Sequence, residues 1–143
     1  MTTRSPSGHV QSPHTADLRI EAWAPTREEC VAEAVHALVD SFADCPTEAA
    51  TAPLEYVFHD RSAEDLLIAV LEEVIYLLDT TGRIPVRIDV CATSPRTGWR
   101  VRFAMADADA ATLIGAVPKA VSLHGLRFTD GPGGWSCAVT IDV

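Results

Sequence analysis

Leu18-Arg19-Ile20-Glu21-Ala22-Trp23 alternates apolar and polar side chains, so its even positions predict one buried face of a strand. A Thr-x-x-Glu capping box, Thr26 to Glu29, then opens a run with Val31, Ala34, Val35, Leu38 and Phe42 at helical spacing, which predicts a first helix reaching about Phe42. Residues 44–53 read as a loop and Leu54–Phe58 as a short strand. Ser62, three residues before Asp65, caps the most apolar helix of the chain, with Leu66, Leu67, Val70, Leu71, Val74, Leu77 and Leu78 on its inner side and Thr81-Gly82 at its end. Beyond it Val86–Val90 and Trp99–Met105 alternate across the turn-rich Thr93–Gly98. Ser122–Phe128 and Trp135–Ile141 do so across Asp130-Gly131-Pro132-Gly133-Gly134, so two hairpins are expected. Residues 107–111 fit either a loop or a helical turn. The order β-α-β-α-β-β-β-β predicts an α+β fold: a largely antiparallel sheet with two main helices.

A chain of 143 residues has the length of one domain, and 48% hydrophobic residues fit a globular class. Residues 1–12 are polar and rich in turn-formers, so a disordered leader is expected ahead of a single domain at 13–143. No apolar run is long enough for a signal core or a bilayer span, which predicts a soluble, cytoplasmic protein without a membrane partner. Cys30, Cys45, Cys91 and Cys137 lie far apart without a C-x-x-C spacing and read as free thiols. The net charge is −9 and Lys119 is the only lysine. That balance repels phosphate backbones despite the local grouping of Arg96, Arg100 and Arg102, so any RNA-linked role is indirect, and a metal ion or a basic partner protein suits the surface better.

Candidate chemistry lies at the two ends of the domain. Asp17 stands where the first strand begins, and Asp142 and the terminal Val143 close the last. If those strands are neighbours, two side-chain carboxylates and the terminal carboxylate converge, and a hard divalent cation, Ca²⁺, Mg²⁺ or Mn²⁺ in preference to Zn²⁺, offsets their repulsion. Asp17 also reads as the polar opening of a strand, and Asp142 as an exposed residue near a fraying end. His14 reads as a turn residue, as a hydrogen-bond donor behind a metal ligand, or as a ligand itself. Glu72 and Glu73 belong to a solvated helix stripe or to the site. Lys119 is a phosphate or partner contact or a solvated lysine, and His124 shares a polar pocket with it or lies on the surface. Trp23, Trp99 and Trp135 read as sheet-packing residues, because no basic groove accompanies them.

Three blocks together resemble the archease family: Pro13-His14-Thr15-Ala16-Asp17 leading into residues 18–23, Lys119-Ala120-Val121-Ser122-Leu123-His124, and Ile141-Asp142-Val143. The helix Asp65 to Asp79 is similar to that family's central acidic helix. The resemblance implies a non-catalytic activating cofactor of the RtcB-type RNA ligase, which promotes GTP-dependent guanylylation of the ligase and its multiple turnover in tRNA splicing and RNA repair. It also implies metal ligands at Asp17, Asp142 and Val143, with His14, Glu73, Lys119 and His124 as supporting or partner-contact positions. The family's aromatic residue before the block's histidine is replaced here by Leu123. A stand-alone metal-dependent hydrolase and a metal-binding interaction module unrelated to RNA are the competing classes. The chain has no phosphate-cradling glycine loop, nucleophile elbow or H-E-x-x-H to complete a hydrolytic site.

Overall fold

The computed structural model describes residues 6–13, 17–59, 62–94 and 98–143. Strand β1 (Gly8–Pro13) and strand β2 (Asp17–Ala24) precede helix α1 (Arg27–Asp40). A two-residue strand β3 (Ala43–Asp44) and a 3₁₀ turn at Thr47–Ala49 lead to β4 (Ala52–His59) and helix α2 (Ala63–Thr81). The hairpin β5 (Arg83–Ser94) and β6 (Gly98–Asp107) follows, then a 3₁₀ turn at Ala108–Ala110, β7 (Thr112–Leu113), and the hairpin β8 (Ala120–Gly131) and β9 (Gly134–Asp142). This is the expected α+β, antiparallel class, distributed over three sheets: four strands in the order β1-β2-β9-β8, three in the order β4-β6-β5, and the small β3-β7 pair.

Both helices start where their side-chain caps put them. The Glu29 amide donates to Thr26 Oγ1 at 3.2 Å and the Asp65 amide to Ser62 Oγ at 3.1 Å, satisfying donors that have no partner within the helix. Helix α2 ends on Gly82, whose φ of 68° is the left-handed conformation that glycine reaches without a Cβ penalty, and its amide donates to the Leu78 carbonyl. Helix α1 packs on β1, β2 and β9 of one sheet and on β5 of the other, while α2 packs on β8, β5 and α1. Ile20, Ala22, Val139 and Ile141 from the larger sheet, Val101 and Phe103 from the smaller one, and Leu38, Leu66 and Leu71 from the helices therefore belong to one continuous core.

Arg27 ties the first turn of α1 to both sheets, its guanidinium carbon lying 4.3 Å from the centre of the Trp99 ring and 5.7 Å from that of Trp135. Trp135 also meets Phe128 edge-on at 5.3 Å. The two tryptophans are packing residues, as expected.

The expected leader is corrected where it meets the domain. Residues 8–13 form edge strand β1, in register with β2 from Gly8 opposite Trp23 to Pro13 opposite Leu18. Its inward side chains are polar and their partners lie on α1: His9 Nδ1 is 2.8 Å from Glu33 Oε2, His9 Nε2 is 3.3 Å from Asp40 Oδ2, and Gln11 Nε2 donates to the Ala37 carbonyl. Hydrogen bonds replace apolar burial there, so the hydrophobic pattern carried no trace of the strand.

Candidate functional site

The two strands that carry the acids are neighbours. β2 and β9 pair antiparallel with Asp17 directly opposite Asp142 and Leu18 opposite Ile141. Ile20, Ala22, Val139 and Ile141 fill the face toward the helices, so the pleat turns Asp17 and Asp142 to the other face of the sheet. Directly opposed side chains have Cβ atoms about 4.5–5.5 Å apart, and two like charges there repel unless a cation lies between them. On the far side of Asp142, Ala120 of β8 is its partner, and the Lys119 amide donates to the Asp142 carbonyl at 2.7 Å. The Val143 side chain is half-buried and packed against the core, which holds the backbone after Asp142 in place.

One row along the same face, Arg19 lies opposite Thr140, about 7 Å from the acidic row at two strand residues' rise. Its Nη1 donates to Thr140 Oγ1 at 3.2 Å and its Nη2 reaches the Gly125 carbonyl at 3.5 Å. The arginine nearest in sequence is thereby committed to neutral oxygens. Among the described residues no group of three or more His, Cys, Asp and Glu side chains is gathered where a metal could bind. The site thus offers two side-chain carboxylates with backbone carbonyl oxygens beside them. That donor set suits a hard cation whose shell water completes.

Other positions singled out in the sequence fall into two places. Glu73 and Lys119 come together in a cleft of about 870 Å³ between α2 and residues 117–121, which Glu72, Tyr76, Asp79 and Val117 also line. Ala120 belongs both to this cleft and to the row containing Asp142, so the cleft and the acid pair share one segment of chain. His124 is elsewhere. Strand β8 loses register with β9 between Ser122 and Arg127, Gly125 takes a φ of 70°, and Leu123 and His124 are both exposed. The expected alternation of these two residues is therefore corrected: the bulge breaks the period, and His124 does not line the cleft with Lys119. His14 lies outside the described residues.

Tyr56, which did not stand out in the sequence, comes close to this cleft through Glu73. Burial of its ring on the inward face of β4, together with the nearby Glu73 carboxylate, pushes the phenol up to about 12. The alternation Leu54, Tyr56, Phe58 was the available signal that the ring points toward α2. Because the folded value lies above the ordinary one, the neutral phenol's contribution to stability is fully present below about pH 10 and is lost as pH rises through about 12. An ultraviolet alkaline titration of wild type minus Tyr56→Phe should show that high midpoint, and Glu73→Gln should lower it while burial keeps it above the ordinary value. A midpoint unchanged by Glu73→Gln would dissociate the pair.

Arg100 and Arg102, grouped in the sequence, share one acid: Arg100 Nε is 3.2 Å from Glu55 Oε1 and Arg102 Nη2 is 3.1 Å from Glu55 Oε2. Arg96 lies outside the described residues. No helix among the described residues is long and apolar enough to cross a membrane.

The sequence model of the Archease protein family matches residues 10–143. The protein named "Probable protein archease" of Mycobacterium tuberculosis H37Rv is 54% identical over 138 residues, which are 96% of this chain and 75% of that one. "Protein archease" of Methanopyrus kandleri is 27% identical over 134 residues, 91% of this chain and 95% of its own. The solution structure of Methanobacterium thermoautotrophicum protein 1598 superposes with a TM-score of 0.73 at 18% identity, covering 95% of this chain and 99% of that one. A Thermotoga maritima crystal structure, described as an archease and possible chaperone, superposes with a TM-score of 0.61 at 17% identity, covering 100% and 99%. At these identities the two structures speak for the fold. The family match over most of the chain and the 54% identical relative together identify it: this protein belongs to the archease family.

Proposed function

We propose that this protein is a non-catalytic activator of an RtcB-type RNA ligase: it promotes GTP-dependent guanylylation of the ligase, and so multiple turnover in tRNA splicing and RNA repair. A divalent cation, Ca²⁺, Mg²⁺ or Mn²⁺, is held by Asp17, Asp142 and the Val143 carboxylate. The single observation that carries this reading is the register that sets Asp17 directly against Asp142 in a chain of this family. The bound ion supplies a positive charge that oxygen ligands of a nucleotide or of the ligase can share. The chain's own residues do the rest: the packed Val143 side chain fixes the terminus, and Ala120 and the Lys119 amide brace the Asp142 backbone. With a net charge of −9 the protein has no general attraction for RNA, so its action on RNA passes through the ligase.

The test is formation of the ligase–GMP adduct from radiolabelled GTP with divalent metal, with and without this protein. Substoichiometric protein should raise both adduct formation and multiple-turnover joining, and Asp17→Ala and Asp142→Ala should lose most of that increase while remaining folded. No increase across a range of GTP and metal concentrations would end the activator reading. RNA cleavage by the protein alone would replace it with the hydrolase reading.

A further inference from the structure

We infer that the cleft between α2 and residues 117–121 is the seat of a basic segment of the partner protein, one that carries an apolar residue between two cations. This inference rests on the activator reading, because it assigns the occupant to the ligase. It concerns a surface on the helix side of the sheet, away from the face that holds Asp17 and Asp142.

Glu72, Tyr76 and Asp79 follow one another at i, i+4 and i+7, so they form one stripe on α2. All three line the cleft, as does Val117 on the opposite wall. Tyr76 is 60% and Val117 45% exposed, so the cleft holds apolar surface that no part of the described chain covers. Glu72 and Asp79 make no ion pair among the described residues, and they stand about 10 Å apart along the helix axis. Glu73, the third acid, lines the same cleft and lies beside Tyr56, whose phenol it raises. Among the described residues Lys119 is the only cation that lines the cleft, against the three acids.

The complementarity chooses the occupant. Free acids at both ends of an exposed aromatic ring match arginine or lysine on either side of a leucine- or phenylalanine-like side chain. A nucleic acid or a second copy of this acidic chain would bring like charge against like. An anchor of that kind buries the Tyr76 ring while the charge pairs set orientation and speed encounter.

The experiment is calorimetric titration of the organism's own ligase with wild type, Tyr76→Ala, the double variant Glu72→Arg/Asp79→Arg and, as a reference, Asp17→Ala. Tyr76 and Asp79 are exposed, so circular dichroism should show these variants folded. Tyr76→Ala and the double reversal should each weaken ligase binding at least tenfold, and the reversal should flatten the salt dependence of wild-type affinity. Wild-type affinity in both cleft variants, with activation intact, would overturn this inference alone. Absence of any ligase binding by wild type would overturn it together with the activator reading. A wild-type dimer abolished by Tyr76→Ala would assign the cleft to self-association and overturn the inference as well.

Discussion

Saturating Ca²⁺, Mg²⁺ or Mn²⁺ should raise the melting temperature of the wild-type protein by roughly 8–11 °C and leave Asp17→Asn and Asp142→Asn almost unmoved. A cation at a hundred times its dissociation constant, bound only by the folded state, adds about 2.7 kcal/mol, which for a domain of this size corresponds to such a shift. Without divalent ions the order should reverse. Each Asn variant removes one of two like charges held directly opposite each other across β2 and β9, and relief of a cross-strand pair of this kind is worth about 0.2–1 kcal/mol. The two melting curves therefore cross as metal is added, which simple loss of a structural hydrogen bond does not produce. A chain extended past Val143 should keep the metal-free melting temperature and lose part of the shift, since the terminal carboxylate is then displaced. An equal rise in wild type and both Asn variants would place the cation elsewhere.

The elements that could be read in advance were those whose signals are local. The two caps at Thr26 and Ser62, the stop at Gly82 and the alternation around Ile20 and Val139 each depend on a few adjacent residues, and each appears where expected. Strand β1 was invisible because His9 and Gln11 meet carboxylates and a carbonyl on α1, so the face it buries is not apolar. The strands β3 and β7, at two residues each, are too short to have a period.

For the candidate site the legible part was which residues carry charge, and the illegible part was what faces what. Asp17 and Asp142 stood out as acids at strand ends, but no local rule pairs the first long strand with the last, and only the folded register sets them opposite. His124 shows the reverse failure. The sequence 122–128 alternates well enough to suggest a regular strand, whereas extra residues between Ser122 and Arg127 bulge out and expose both Leu123 and His124. Glu73 was singled out without Tyr56 beside it, since Tyr56 comes from a strand separated from α2 by a loop.

Phe103→Ala should cost about 3–5 kcal/mol, a large share of the roughly 5–15 kcal/mol that holds a domain of this kind together. Phe103 is completely buried at the centre of β6, the middle strand of its sheet, where Leu54 and Ile88 flank it in register. Its ring meets Tyr56 edge-on at 6.0 Å, a contact worth about 0.5–1.5 kcal/mol beyond the area it buries. The void left by alanine lies inside the continuous core, so collapse around it is incomplete. Phe103→Leu, which leaves less of a void, should lose distinctly less. Denaturant unfolding should show a lower midpoint with an unchanged slope, and the same loss with or without divalent ions, because Phe103 belongs to the sheet that does not carry Asp17 and Asp142. Loosening the ring should also open Tyr56 to solvent, so in a partly destabilised Phe103→Leu protein the high phenol midpoint should fall although neither Tyr56 nor Glu73 has been changed. A Phe103→Ala loss below about 1 kcal/mol would contradict the packing that positions Tyr56.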